Sequence, residues 1–84
     1  MTKLLYFAWM REKTGLGEEQ VDLPDNLNTI ADLIAWQKAR GPEFAAAFER
    51  DEVIRAAIDH EHVAHDAPIR DAREIAFFPP VTGG

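Results

Sequence analysis

An α+β domain, with a mixed sheet wrapped around one principal helix, follows from three features of the sequence. Two short apolar stretches near the start, residues 4–9 and 19–23, read as the arms of a hairpin. One helical stripe, Ile30, Leu33 and Ile34, opens behind Thr29 and closes at Gly41-Pro42. Further strands end the chain, the last of them at residues 74–78.

The first strand is predicted from the aromatic and aliphatic residues 4–9, bounded by Arg11-Glu12-Lys13. Alternation puts Leu4, Tyr6 and Ala8 on one face and Leu5, Phe7 and Trp9 on the other. Both faces are apolar, so either the strand is covered on both sides or one side is reserved for a partner. Gly15 and Gly17 break the chain into a loose loop, after which Val21 and Leu23 alternate inward until Pro24. Thr29, with Asp32 three residues later, has the form of a capping box. Trp36 or Gln37 completes the helical stripe, with Trp36 assigned to core packing. Pro42 can start a second, short helix that packs Phe44 and Phe48 against one end of the core.

Residues 49–52 form a charged surface turn. Ile54, Ala56 and Ile58 then alternate as a third strand. Residues 59–62 are expected to turn, and Val63 to begin a short return toward Pro68-Ile69. After the polar turn 70–73 comes the last strand, expected beside the first and central in the sheet. The core order is β-β-α-β-β, without repeats or low-complexity segments.

The chain has 84 residues, enough for one compact domain with a small core. Cysteine is absent, which removes disulfides, side-chain thioesters and thiolate ligands together. Fifteen acidic residues against nine basic give a net charge of −6, the wrong sign for binding a phosphate backbone. The acidity suits steering toward a basic partner and suits an inert soluble protein equally well. The apolar opening run is too short to span a bilayer and lacks a cleavage pattern, so the chain reads as cytoplasmic, with no membrane partner.

The last strand runs directly into Pro79-Pro80-Val81-Thr82-Gly83-Gly84. This divides the chain into a domain, residues 1–78, and an arm, residues 79–84. Two prolines fix their own φ and bias their neighbours toward extension. Fully extended, the arm would span roughly 20 Å, at about 3.3–3.6 Å per residue. Gly83 and Gly84 have no side chain to obstruct a narrow channel, which leaves the terminal carbonyl open to attack. The ordinary alternative is a frayed terminus without a role. The apolar strand that feeds the arm favours a working tip.

Little else in the chain carries chemistry. His60, His62 and His65, with Glu61 and Asp66, invite a metal reading but lack ligands at a spacing that fixes tetrahedral geometry. Asp59 and Glu61 have nothing apolar nearby to separate their pKa values. Serine is absent, and Gly15 and Gly17 lack the spacing of a phosphate loop. No metal or cofactor site is expected on the chain, and no catalysis by its side chains alone.

Several segments carry a family resemblance. Leu5-Tyr6-Phe7-Ala8 followed by Arg11-Glu12, the Thr29-Ile30 helix start, Ala56-Ala57-Ile58 and above all the ending from Glu74 to Gly84 resemble the small subunits of molybdopterin synthase, ubiquitin-like sulfur carriers. The resemblance implies a β-grasp fold and a non-catalytic subunit of a sulfurtransferase. It implies that the Gly84 carboxylate is adenylated by an activating enzyme using ATP and magnesium, then converted to a thiocarboxylate. That tip would donate sulfur to cyclic pyranopterin monophosphate in the large subunit's active site, with Gly83 giving access. The resemblance also assigns Phe7 and Phe78, near His62, to the contact with the large subunit, in a heterotetramer of two large and two small subunits. Pro79, Pro80, Val81 and Thr82 belong to the same contact. Phe7 could instead be ordinary core. Where the family carries Gly-Asp this chain has Ala72-Arg73, so its turn must avoid a glycine-only conformation. A carrier for another sulfur pathway such as thiamine synthesis, a ubiquitin-like protein modifier and an interaction domain with an inert tail are the alternatives.

Overall fold

In the computed structural model, residues 1–80 are described. Five strands form one sheet in the order β2-β1-β5-β3-β4. They are β1 (Thr2–Tyr6), β2 (Glu18–Val21), β3 (Arg55–Ile58), β4 (Glu61–Val63) and β5 (Glu74–Phe78). The first and last strands are parallel, and the other neighbours are antiparallel. Three helices, α1 (Ala8–Thr14), α2 (Ile30–Lys38) and α3 (Pro42–Ala47), complete the domain. A mixed sheet wrapped on one main helix, with the last strand at its centre, is the β-grasp arrangement that the resemblance implies.

The core lies between the inner face of the sheet and α2. Leu4 and Tyr6 of β1, Ile75 and Phe77 of β5 and Leu33 of α2 are each at most 1% exposed. Full burial of such side chains contributes about 1.5–3 kcal/mol apiece. Tyr6 stacks on Phe77 at 6.2 Å, and Phe48 meets Phe77 edge-on at 5.1 Å, which places α3 at one end of the cluster.

The predicted capping box holds. Thr29 Oγ1 accepts from the Asp32 backbone N–H at 3.2 Å, and Asp32 Oδ2 accepts from Thr29 N–H at 3.1 Å. The Asn28 and Thr29 amides hold the Asp32 carboxyl below its usual range. Two more first-turn donors are answered from afar: Ile30 N–H by Ala67 O and Ala31 N–H by His65 O. Every orphan donor at this helix start therefore has a partner. Pro42 opens α3 as expected, behind Gly41 at φ 151°, a backbone conformation that glycine favours.

The main correction concerns residues 4–9. The strand ends at Tyr6, and Ala8–Thr14 is helical where the end of the strand and then a loose loop were expected. Ala8, at φ 52°, turns the chain out of the sheet. Met10 is then fully buried, and the Trp9 indole N–H donates to Ala47 O at 3.0 Å, tying α1 to α3. Gly15, at φ 78°, closes the helix with its N–H on Arg11 O. The charged turn 49–52 becomes a 3-10 turn, Asp51–Val53, held by Lys38 Nζ at 2.7 Å from Asp51 Oδ2.

A second correction is shorter. The β3–β4 turn uses only Asp59 and His60, at φ 47° and 75°, the two-residue I′ pattern. His62 accordingly sits within β4 instead of in the turn. Asp59 also fastens the start of β5, its Oδ1 accepting from Arg73 N–H at 3.1 Å and Glu74 N–H at 2.9 Å. Ala72 has no positive φ, as its lack of glycine freedom requires.

One polar cluster inside the fold left no mark in the sequence. Tyr6 OH donates to Glu19 Oε2 at 2.5 Å and accepts from Gln37 Nε2 at 2.8 Å. Arg40 grips Glu19 with both guanidinium nitrogens, at 2.6 and 3.0 Å. Arg40 also lies over Phe44, 4.1 Å from the ring centroid. Hydrogen bonds from Arg40, and secondarily from Tyr6, hold the Glu19 carboxyl below its usual range, while burial pushes the Tyr6 phenol up. The cluster clamps the edge strand β2 to the end of α2.

Candidate functional site

The site is built on β5. Alternation sends Ile75 and Phe77 into the core and leaves Ala76 and Phe78 on the opposite face of the sheet. That face carries no helix. Across it, Leu5 of β1 and Ala57 of β3 flank Ala76 in register, Ala57 faces His62 of β4, and Arg55 faces Phe78.

Phe7 joins the same face. It is extended (φ −122°, ψ 157°) and continues the β1 alternation, and its N–H donates to Phe77 O at 3.1 Å. Ala8 then turns the chain away, leaving Phe7 47% exposed. This answers one open question from the sequence, because an exposed Phe7 is not core. Phe78 leans the other way, its ring centroid 5.0 Å from that of His62 at an angle of 50°. Phe7, Phe78 and His62 therefore share one apolar face, at the end of the sheet where the chain leaves for Pro79 and Pro80. Both prolines are half-buried. Val81, Thr82, Gly83 and Gly84 lie outside the described residues.

The three histidines go separate ways. His60 is 85% exposed with Nε2 3.5 Å from Glu74 Oε2, His65 Nε2 meets Ile54 O at 2.7 Å, and His62 packs on Phe78. Among the described residues no three His, Asp or Glu side chains come together to hold a metal ion. Nor is any helix there long and apolar enough to cross a membrane. Three clefts lie away from the site: one is lined by Trp9, Lys13 and Arg50 between α1 and α3, and two by Asp22 and Asn28 or by Pro68 and Asp71. What the described site offers chemically is a partly exposed apolar face beside an emerging chain end. Alternation had already put Leu5 beside Phe7, but sequence reasoning missed Ala57 and Ala76 as parts of that face, although their alternation with core residues was a usable signal.

Comparison with known proteins points the same way. The ThiS family model matches residues 4–84. The molybdopterin synthase sulfur carrier subunit of Escherichia coli is 40% identical over the whole of both chains, and that of Haemophilus influenzae 32% identical, again over both in full. Among solved structures, a Pyrococcus furiosus protein described as molybdopterin converting factor subunit 1 superposes with a TM-score of 0.72 at 28% identity, covering 95% of this chain and 97% of its own. SAMP1 from Haloferax volcanii gives 0.68 at 27% identity, covering 99% and 98%. This chain belongs to the ThiS family, alongside the molybdopterin synthase sulfur carrier subunits.

Proposed function

We propose that this chain is the sulfur carrier subunit of a molybdopterin synthase, working in the cytoplasm through its C-terminal glycine. The observation that carries the reading is the path of β5. It runs through the centre of the sheet, leaves Phe78 on the open face and passes straight into Pro79-Pro80, so the open face is continuous along one strand with the root of the arm. Full-length identity to sulfur carrier subunits supports it.

The chemistry follows from the terminal carboxylate. Ionised at neutral pH, it is a poor electrophile until oxygen is given a good leaving group. An activating enzyme, supplying ATP and magnesium, would join the Gly84 carboxylate to AMP and release pyrophosphate. Hydrosulfide, or a persulfide whose S–S bond a thiol then cleaves, displaces AMP and leaves the thiocarboxylate. The large subunit, holding Phe7, Phe78 and His62 on its surface and Pro79–Gly84 in its active site, would pass that sulfur to cyclic pyranopterin monophosphate, with water cleaving the acyl–sulfur bond and restoring the Gly84 carboxylate. Two large and two small subunits make the assembly. Catalytic side chains and the nucleotide belong to the partners.

Reconstitution tests this directly. A synthase rebuilt from the large subunit and the sulfurated chain should form molybdopterin from the precursor, and a chain lacking Gly84 should not. Equal product from the truncated chain would remove the proposal.

A further inference from the structure

Among the described residues, each charged side chain of the open face but one has a polar partner. Lys3 Nζ lies 3.8 Å from Glu18 Oε2, and Glu74 Oε2 lies 3.5 Å from His60 Nε2. Arg55 is exposed and forms no ion pair or side-chain hydrogen bond among the described residues. In the β3–β5 register it stands directly opposite Phe78. Facing side chains of an antiparallel pair project from the same face, with Cβ atoms about 4.5–5.5 Å apart. A free guanidinium thus borders the aromatic patch where β5 gives way to Pro79.

We propose that Arg55 is the ionic anchor of the docking face, answered by a carboxylate that the large subunit places beside Phe78. The inference rests on the docking role proposed above and adds the chemistry of the contact. The chain as a whole carries −6, so its long-range field favours a basic partner. Arg55 opposes that field and must be answered locally. Brought against apolar neighbours on docking, an unanswered cation would lose its hydration without compensation. A carboxylate meets it best, because its two oxygens accept the two parallel hydrogen bonds that the planar fork donates. Such a pair also supplies direction. Contacts of Phe7, Phe78 and Ala76 are non-directional, whereas a two-point pair beside Phe78 fixes the rotation of the carrier and hence the line along which Pro79 and Pro80 enter the partner.

The test titrates the full chain into the large subunit of the synthase from the same organism, by calorimetry at low salt. Arg55→Glu is compared with Arg50→Glu, which makes the same change in net charge at an exposed position away from the open face. Arg55→Glu is expected to weaken binding on the order of 100-fold, Arg55→Ala on the order of tenfold, and Arg50→Glu little. Arg55→Lys, which keeps the charge and loses the fork, should fall between wild type and Arg55→Ala. Melting temperatures should stay within about 3 °C of wild type, as expected at an exposed position. If Arg55→Glu and Arg50→Glu bind alike, the anchor is overturned while the docking role stands. If the wild-type chain does not bind, the docking role itself fails and this inference with it.

Discussion

Phe78 and His62 touch across a strand that separates them. Their strands, β5 and β4, flank β3 on either side, yet the ring centroids are 5.0 Å apart. Ala57 on the intervening strand makes this possible, since its methyl group is too small to hold the rings apart; it is only 8% exposed. The aromatic pair is therefore assembled within the fold itself; in the proposed docking role this would lower the ordering cost of binding.

Removing either aromatic side chain should separate docking from folding. Phe7→Ala and Phe78→Ala are each expected to weaken binding to the large subunit by about 30-fold, the scale of a central aromatic contact. Phe7, already half exposed, should cost little stability. Calorimetric titration beside thermal melts checks this, and a loss of melting temperature in Phe7→Ala equal to the loss of affinity would reassign the residue to the core.

The Tyr6–Glu19–Arg40 clamp predicts how stability varies with pH. Glu19 is held below its usual range when folded, so its contribution is present above the unfolded value of 4.5 and is lost as pH falls through the folded value. Tyr6 is shifted the other way. Above pH 10.0 the unfolded chain releases the phenolic proton while the folded chain keeps it, so stability falls again. Glu19→Ala should cost about 3 kcal/mol by stranding Arg40, and Glu19→Gln should flatten the acid limb. Urea unfolding across pH reads both; an unchanged acid limb in Glu19→Gln would assign it to other carboxylates.

Two strained positions give predictions of opposite sign to most mutations. Ala8 and His60 hold positive φ without being glycine. Ala8→Gly and His60→Gly should each stabilise by about 0.5–1 kcal/mol, as relief of strain outweighs the added freedom of the unfolded chain. The exposed His60–Glu74 contact that the second change removes is worth little. A fall in melting temperature for either variant would contradict the assigned backbone.

Local signals carried much of this architecture, and non-local ones escaped. The final strand, Glu74–Phe78, and the Thr29–Asp32 cap were legible because alternation and capping act within a few residues. The short α1 was not, since Phe7-Ala8-Trp9 continues an apolar strand pattern and the helix depends on Trp9 reaching Ala47. Gly15 behind Arg11 and Lys13 was the available sign of a helix end. The clamp was illegible for a similar reason: Tyr6 and Gln37 are 31 positions apart, Glu19 and Arg40 21. The apolar open face was half legible. Phe7 and Phe78 came from the resemblance, while the open side of the sheet, with Arg55 upon it, appears only once β3, β5 and β1 are set in order.

The most direct test of the account is the intact mass of the chain after incubation with the activating enzyme, ATP, magnesium and a sulfur donor. Replacement of one carboxylate oxygen by sulfur should add about 16 Da, and the gain should map to Gly84 and vanish when Gly84 is removed. An unchanged mass, or Gly84 found joined to lysines of other proteins in place of sulfur, would contradict the carrier role.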